Sequence, residues 1–248
     1  MTPLHIGHIT LVMSTPLRIS AKHLGALALP DCCHRCFWMQ FRLGWKTPYA
    51  VFPGIFSSLD SAQKKVVNAF HARHGRNPSW LSSFEPLGTP IAVPHHSKFR
   101  WTDPETGALL TGVPDELFRQ EDRALFIADY KTAKFTANQD SLLPVYTVQL
   151  NGYAVIAEAL GMGTVTGLGL IYFEPRTDIG EADVDALTTE EGFLMRFEAK
   201  LLNVDLNRAM IRPLLRRARE LFTMPSPPAG RDGCKDCGKL DALFALPR

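Results

Sequence analysis

The chain has 248 residues, 46% hydrophobic and 21% charged, which is enough apolar material for one large domain with its own core and too much for extended disorder. No run of eighteen apolar residues occurs, and the first fourteen residues lack the pattern of a secretory leader, so the expectation is a soluble, cytoplasmic protein with no membrane partner. A formal net charge of +2 announces no polyanion binding, so any nucleic-acid contact has to come from local patches.

Residues 1–16 show no clear periodicity. Ser20 predicts the N-cap of a short helix over Ala21–Ala28, and after Pro30 and Asp31 a second helix runs to Leu43, beginning at the pair Cys33-His34-Arg35-Cys36. Phe37, Trp38 and Phe41 suit burial beneath a metal-bound turn, and Cys32 is spare. Residues 48–53 read as a connector. Ile55–His74 has helix length, with Ile55, Leu59, Ala62, Val66, Ala69 and Phe70 approximating an apolar face, and Asp60 and His71 ride on it.

Ile91–Trp101 reads as a first strand interrupted by Pro94, and Asp103–Gly107 as a turn, giving a three-stranded antiparallel start with the hairpin that follows. Leu109–Phe118 and Ala124–Lys131 form that hairpin around the charged break Arg119–Arg123. With the turn centred on Glu121, Asp115 faces Ile127 and Asp129 faces Val113, so the two carboxylates are diagonal neighbours on one face, roughly 5–8 Å apart. Lys131 joins that face and Tyr130 points away. The arrangement requires an odd-length connection, because a loop one residue longer or shorter sends one carboxylate to the other side. Such an oxygen-rich pair suits Mg²⁺ or Mn²⁺, and with a lysine beside it the chemistry indicated is phosphodiester hydrolysis.

Ser141–Leu160 reads as a helix stopped by Gly161, with Gln149 and Tyr153 on one face as an amide and a phenol able to meet phosphates or bases. Thr164–Phe173 fits a buried strand and Gly192–Lys200 a half-exposed one, so the order implies a mixed α/β sheet. Pro213–Phe222 is helical and turns Arg216, Arg217 and Arg219 outward, with Arg208 and Arg212 upstream. Arg216 and Arg219 are the candidates for backbone-phosphate contacts. A Pro-rich linker, Met224–Gly233, delivers Cys234-Lys235-Asp236-Cys237. Cys33, Cys36, Cys234 and Cys237 supply four thiolates, enough for zinc or an iron-sulfur cluster that ties the chain ends together.

Pro114-Asp115 followed by Asp129-Tyr130-Lys131 resembles the PD-(D/E)XK nuclease superfamily. Gly112-Val113-Pro114-Asp115, Asp129-Tyr130-Lys131-Thr132 and the Q-x-x-x-Y element from Gln149 to Tyr153 are similar to its RecB-like branch, which includes CRISPR-associated RecB-like exonucleases and AddB-type nuclease domains. The resemblance implies a single α/β domain over residues 1–248. It would have a restriction-endonuclease-like core at about 50–222, with a mixed central sheet flanked by helices, and a cysteine-stapled lobe from about 20–45 and 230–248.

It further implies Mg²⁺ or Mn²⁺ held by Asp115, Asp129 and the Tyr130 carbonyl. A further ligand would come from the preceding helix, where Asp60 ranks ahead of His71 because Gly54 precedes it. Lys131 would position the attacking water, and Gln149 and Tyr153 would orient the nucleic acid. Relatives carry a [4Fe-4S] cluster with cysteines split one and three. The split here is two and two, which leaves zinc open. The implied activity is that of a deoxyribonuclease, acting on DNA that includes single strands, in repair, recombination or CRISPR adaptation alongside the proteins of those assemblies. The alternative is a catalytically inactive nucleic-acid-binding or scaffold subunit with the same fold.

Overall fold

The structure, a computed structural model, describes residues 16–46, 53–82, 84, 87–135 and 141–246. The expectations for residues 1–15 and 48–52 therefore lie outside the described residues.

Near the N-terminus come β1 (Arg18–Ser20), α1 (Ala21–Gly25), α2 (His34–Arg42), α3 (Gly54–His74) and α4 (Ser79–Ser82). Ser20 caps α1 as expected, its Oγ accepting the His23 amide at 3.1 Å. The strands β2 (Thr89–Ile91), β3 (Arg100–Thr102), β4 (Leu109–Thr111), β5 (Glu116–Arg119) and β6 (Leu125–Lys131) follow. Next are α5 (Leu143–Ala159), β7 (Val165–Pro175), α6 (Val184–Leu187), β8 (Thr188–Thr189), β9 (Gly192–Phe193) and β10 (Phe197–Val204). The last elements are α7 (Ile211–Thr223) and α8 (Lys235–Phe244).

The main sheet has the order β10-β7-β6-β5-β2. β6 and β7 run parallel and are bridged by α5, while the remaining neighbours are antiparallel, so the sheet is mixed as expected. α5 covers one face, packing Val148 and Ile156 against Leu117, Leu125, Ile127 and Leu170. On the other face Val67 of α3 and Leu81 of α4 meet Phe118, Phe126 and Ile171. Each fully buried aliphatic side chain of this kind contributes about 1.5–3 kcal/mol.

Three sequence expectations change. The long strands expected at Ile91–Trp101 and Leu109–Phe118 each divide between two sheets, because β3 and β4 form a separate three-stranded sheet with β1, and β1 pairs with β4 in parallel. The segment Gly112–Asp115 carries the chain from one sheet to the other, and Pro114 within it has no amide to donate to a ladder. Gly192–Lys200 also divides: its start pairs with β8 in a short hairpin, and β10 begins only at Phe197.

The third change concerns α3. Ile55 and Val66 of its supposed apolar face are 60% and 57% exposed, and Val67 is its buried side chain. A polar stripe made of Asp60, Gln63, Lys64 and Asn68 faces the hairpin instead. α1, in contrast, lies hard against α5: a Cβ at Gly25 would stand 2.5 Å from the Val145 carbonyl oxygen, so only glycine permits this approach. That packing brings Lys22 to the cleft described next.

Candidate active site

β5 and β6 pair Glu116 with Ala128 and Arg119 with Leu125, which centres the turn on Asp122 rather than Glu121. The parity expected from the sequence is kept, and the register moves by one pair. Asp115 lies just beyond the ladder, one residue before β5, and its carboxylate comes within reach of that of Asp129. The Tyr130 backbone amide donates to Asp115 Oδ2 at 2.7 Å, which fixes that carboxylate at the end of the hairpin.

Alternation puts Asp129 and Lys131 on the α5 side of the sheet, where Lys131 Nζ pairs with Asp129 Oδ2 and lies 4.1 Å from the centre of the Tyr146 ring. Gln149, one turn before Tyr153 on α5, donates from Nε2 to Asp129 Oδ1 at 3.0 Å and to the Tyr153 hydroxyl at 2.8 Å. Gln149 Oε1 is buried without a hydrogen-bond partner. Gly112 lies against the Tyr153 ring so closely that a Cβ there would overlap it. These groups line a cleft of about 440 Å³ together with Lys22, Phe56, Asp60 and Gln63.

The electrostatics follow from burial. Asp129 is 3% exposed, and that desolvation, aided by the Asp115 charge, raises its pKa despite the Lys131 ammonium. Glu116, on the opposite face at 1% exposed, is pushed up to about 7 chiefly by burial. It accepts from the Tyr130 hydroxyl at 3.2 Å and from Asn68 of α3 at 3.5 Å.

Two ammonium groups balance the paired acids. One is Lys131, and the other is Lys64 of α3, which lies 2.7 Å from Asp115 and 2.9 Å from Asp60. Sequence reasoning missed Lys64, Glu116 and Tyr146. The four-residue step from Asp60 to Lys64 was the available signal for the first. Nothing in the pattern announced the other two.

Asp60 reaches the cleft rim through Lys64, whereas His71 lines a different hollow near Gly75 and Arg76. Arg216 forms an ion pair with Glu105, and Arg219 lies over the Phe222 ring with its Nε buried. Arg212 likewise pairs with the fully buried Asp103, and Arg208 with Glu158. These pairs tie Arg212 and Arg216 of α7, and Arg208 just before it, to distant parts of the chain while leaving each guanidinium partly exposed.

At the chain ends the Sγ atoms of Cys33, Cys36, Cys234 and Cys237 all lie within 4.8 Å of one another, and they are the one such group of three or more ligating side chains among the described residues. Against the effect of burial, amide hydrogen bonds from Arg231 and Cys36 lower Cys33 to about 6, which favours its thiolate. Asp60, Asp115 and Asp129 do not close to that spacing, since Lys64 stands between the first two.

Comparison with known families settles the lineage. The family model of the PD-(D/E)XK nuclease superfamily matches residues 46–240, most of the chain. The chain belongs to the PD-(D/E)XK nuclease superfamily. A crystal structure of SSO0001 aligns with a TM-score of 0.37 at 14% identity, over 85% of this chain and 78% of that one, which adds nothing to the assignment. A search of curated proteins matches nothing.

For this superfamily member the cleft is the natural place to look for divalent-metal chemistry. Its donors fit: two neighbouring carboxylates, an acceptor left over on Gln149, and a third carboxylate at the rim are the hard oxygen atoms that Mg²⁺ and Mn²⁺ prefer. No described helix is long and apolar enough to cross a membrane.

Proposed function

We propose that this protein is a metal-dependent deoxyribonuclease of the RecB-like branch, with Asp115, Asp129 and Lys131 as its catalytic set. The observation that carries the reading is the meeting of the Asp115 and Asp129 carboxylates at the end of the hairpin, with Lys131 paired to Asp129 in the same cleft. Asp115, Asp129 and the Tyr130 carbonyl would hold Mg²⁺ or Mn²⁺, with Asp60 as a rim ligand. When bound, that ion would activate water and offset charge developing on the phosphate.

The remaining work falls to the chain's own groups. Lys131 orients the attacking water and stabilises the negative charge that develops. Gln149 holds Asp129 by donating to Oδ1, and Tyr153 steadies Gln149. Lys22 and the exposed ring of Phe56 at the rim offer a phosphate contact and a stacking surface for a strand of DNA, single strands included. The RecB-like motifs support a place in repair, recombination or CRISPR adaptation.

The four cysteines would form a structural site that staples residues 20–45 to 230–248 within one nuclease domain. Thiolates bound at about 2.3 Å to one tetrahedral zinc stand roughly 3.8 Å apart. The closest pairs here, Cys33 with Cys237, Cys36 with Cys237 and Cys36 with Cys234, are 3.5, 3.5 and 3.6 Å apart. A four-iron cluster places its own iron and sulfide atoms between the ligands and needs a wider spread, so the spacing supports zinc.

The test is cleavage of single- and double-stranded DNA with Mn²⁺ by the parent and by Lys131→Ala. Metal-dependent cleavage by the parent that the variant lacks supports the reading. Equal activity, or none from either, favours a non-cleaving nucleic-acid-binding subunit.

A further inference from the structure

Lys64 reaches across from α3 to the hairpin, its ammonium 2.7 Å from Asp115 Oδ1 and 2.9 Å from Asp60 Oδ2. Its neighbours on the helix make matching polar contacts: Gln63 Nε2 donates to Thr132 Oγ1 at 2.8 Å and Asn68 Nδ2 to Glu116 at 3.5 Å. Beside the apolar contact made by Val67, α3 thus meets the hairpin through these hydrogen bonds and the Lys64–Asp115 ion pair.

We propose that Lys64 is an internal counter-ion of the metal site. In the metal-free protein it neutralises Asp60 and Asp115. It yields those oxygens when a divalent cation binds, and the released ammonium turns to the substrate phosphate. The inference rests on reading Asp115 and Asp129 as metal ligands.

Its logic is competition. The same carboxylate oxygens cannot serve an ammonium and a divalent cation at full strength, and the two cations repel each other at such range. An ion pair present only in the metal-free state is lost on binding and so weakens it. Lys131 differs because it is more buried and also rests on the Tyr146 ring, which gives it a partner besides the acids. Lys64 has a third of its side chain exposed and has room to move.

Calorimetric titration of Mn²⁺ into the full chain without DNA tests this, using the parent, Lys64→Met, Lys64→Arg and Asp129→Asn. Lys64→Met is expected to bind Mn²⁺ roughly fivefold or more tightly, the scale of a partly exposed ion pair, with Lys64→Arg close to the parent. KM for DNA should rise in Lys64→Met even though its metal site is tighter, a split that a merely structural lysine would not produce. If Lys64→Met does not fold, Lys64→Gln serves the same comparison. Unchanged or weaker Mn²⁺ binding in a folded variant, with Asp129→Asn still abolishing binding, overturns the counter-ion role and leaves the metal site standing. Should Asp129→Asn bind Mn²⁺ like the parent, both fall.

Discussion

The amide of Tyr130, next to Asp129 on β6, donates to Asp115 Oδ2 at 2.7 Å and holds the two carboxylates together at the end of the β5–β6 hairpin. Asp129 is almost fully buried, so burial disfavours its ionised form even beside Lys131, and its charge costs stability above neutral pH. Asp129→Asn should therefore abolish metal-dependent cleavage while raising the stability of the metal-free protein at pH 8 by about 1–2 kcal/mol, as measured by urea denaturation.

Glu116 gives a pH dependence of defined sign. Burial pushes its folded pKa up to about 7, above the ordinary glutamate value of 4.5, so between those values the folded state holds a proton that the unfolded state has lost. Its contribution is complete below about pH 4.5 and disappears as pH rises through 7. Urea-derived stability of the metal-free parent should fall across that window relative to Glu116→Gln, by about 3 kcal/mol in total. Parallel pH profiles for the two proteins would contradict this.

Gly112 is the point where the hairpin meets α5. Gly112→Ala should drive the Tyr153 ring away from Gln149, cost about 1–3 kcal/mol of stability and lower the rate of cleavage more than DNA affinity. Steady-state kinetics separate the two effects.

Much of this site was legible before any coordinates. The acids, the lysine and the Gln149–Tyr153 step rest on strand and helix periodicity, and the two cysteine pairs rest on spacing. The register missed by one pair because the five residues 120–124 form the loop, and sequence does not say where within a charged break a turn is centred. The stripe on α3 misled because periodicity reports an apolar face and not what lies opposite it. Here the hairpin offers Asp115, Glu116 and Thr132, so the polar face turned inward. The partners of the arginines on and just before α7, Asp103, Glu105 and Glu158, are distant in sequence and so were not legible in it.

That pairing yields its own prediction. Arg216→Ala should leave DNA affinity and its salt dependence within about twofold of the parent, because Glu105 already neutralises the guanidinium. Lys22→Ala at the cleft should weaken DNA binding and reduce the salt slope by about one charge.

The cysteine site should hold one zinc per chain and leave the purified protein colourless. Cys36→Ser should lose the metal and expose the 224–234 linker to trypsin. Elemental analysis with an absorbance spectrum decides it: about four irons per chain with visible absorption would replace zinc with an iron-sulfur cluster.

The most direct test of the active-site account is anomalous scattering from Mn²⁺-soaked crystals. The account predicts a peak within bonding distance of one oxygen each of Asp115 and Asp129, absent in Asp129→Asn. Saturating Mn²⁺ with no peak between those carboxylates would contradict it.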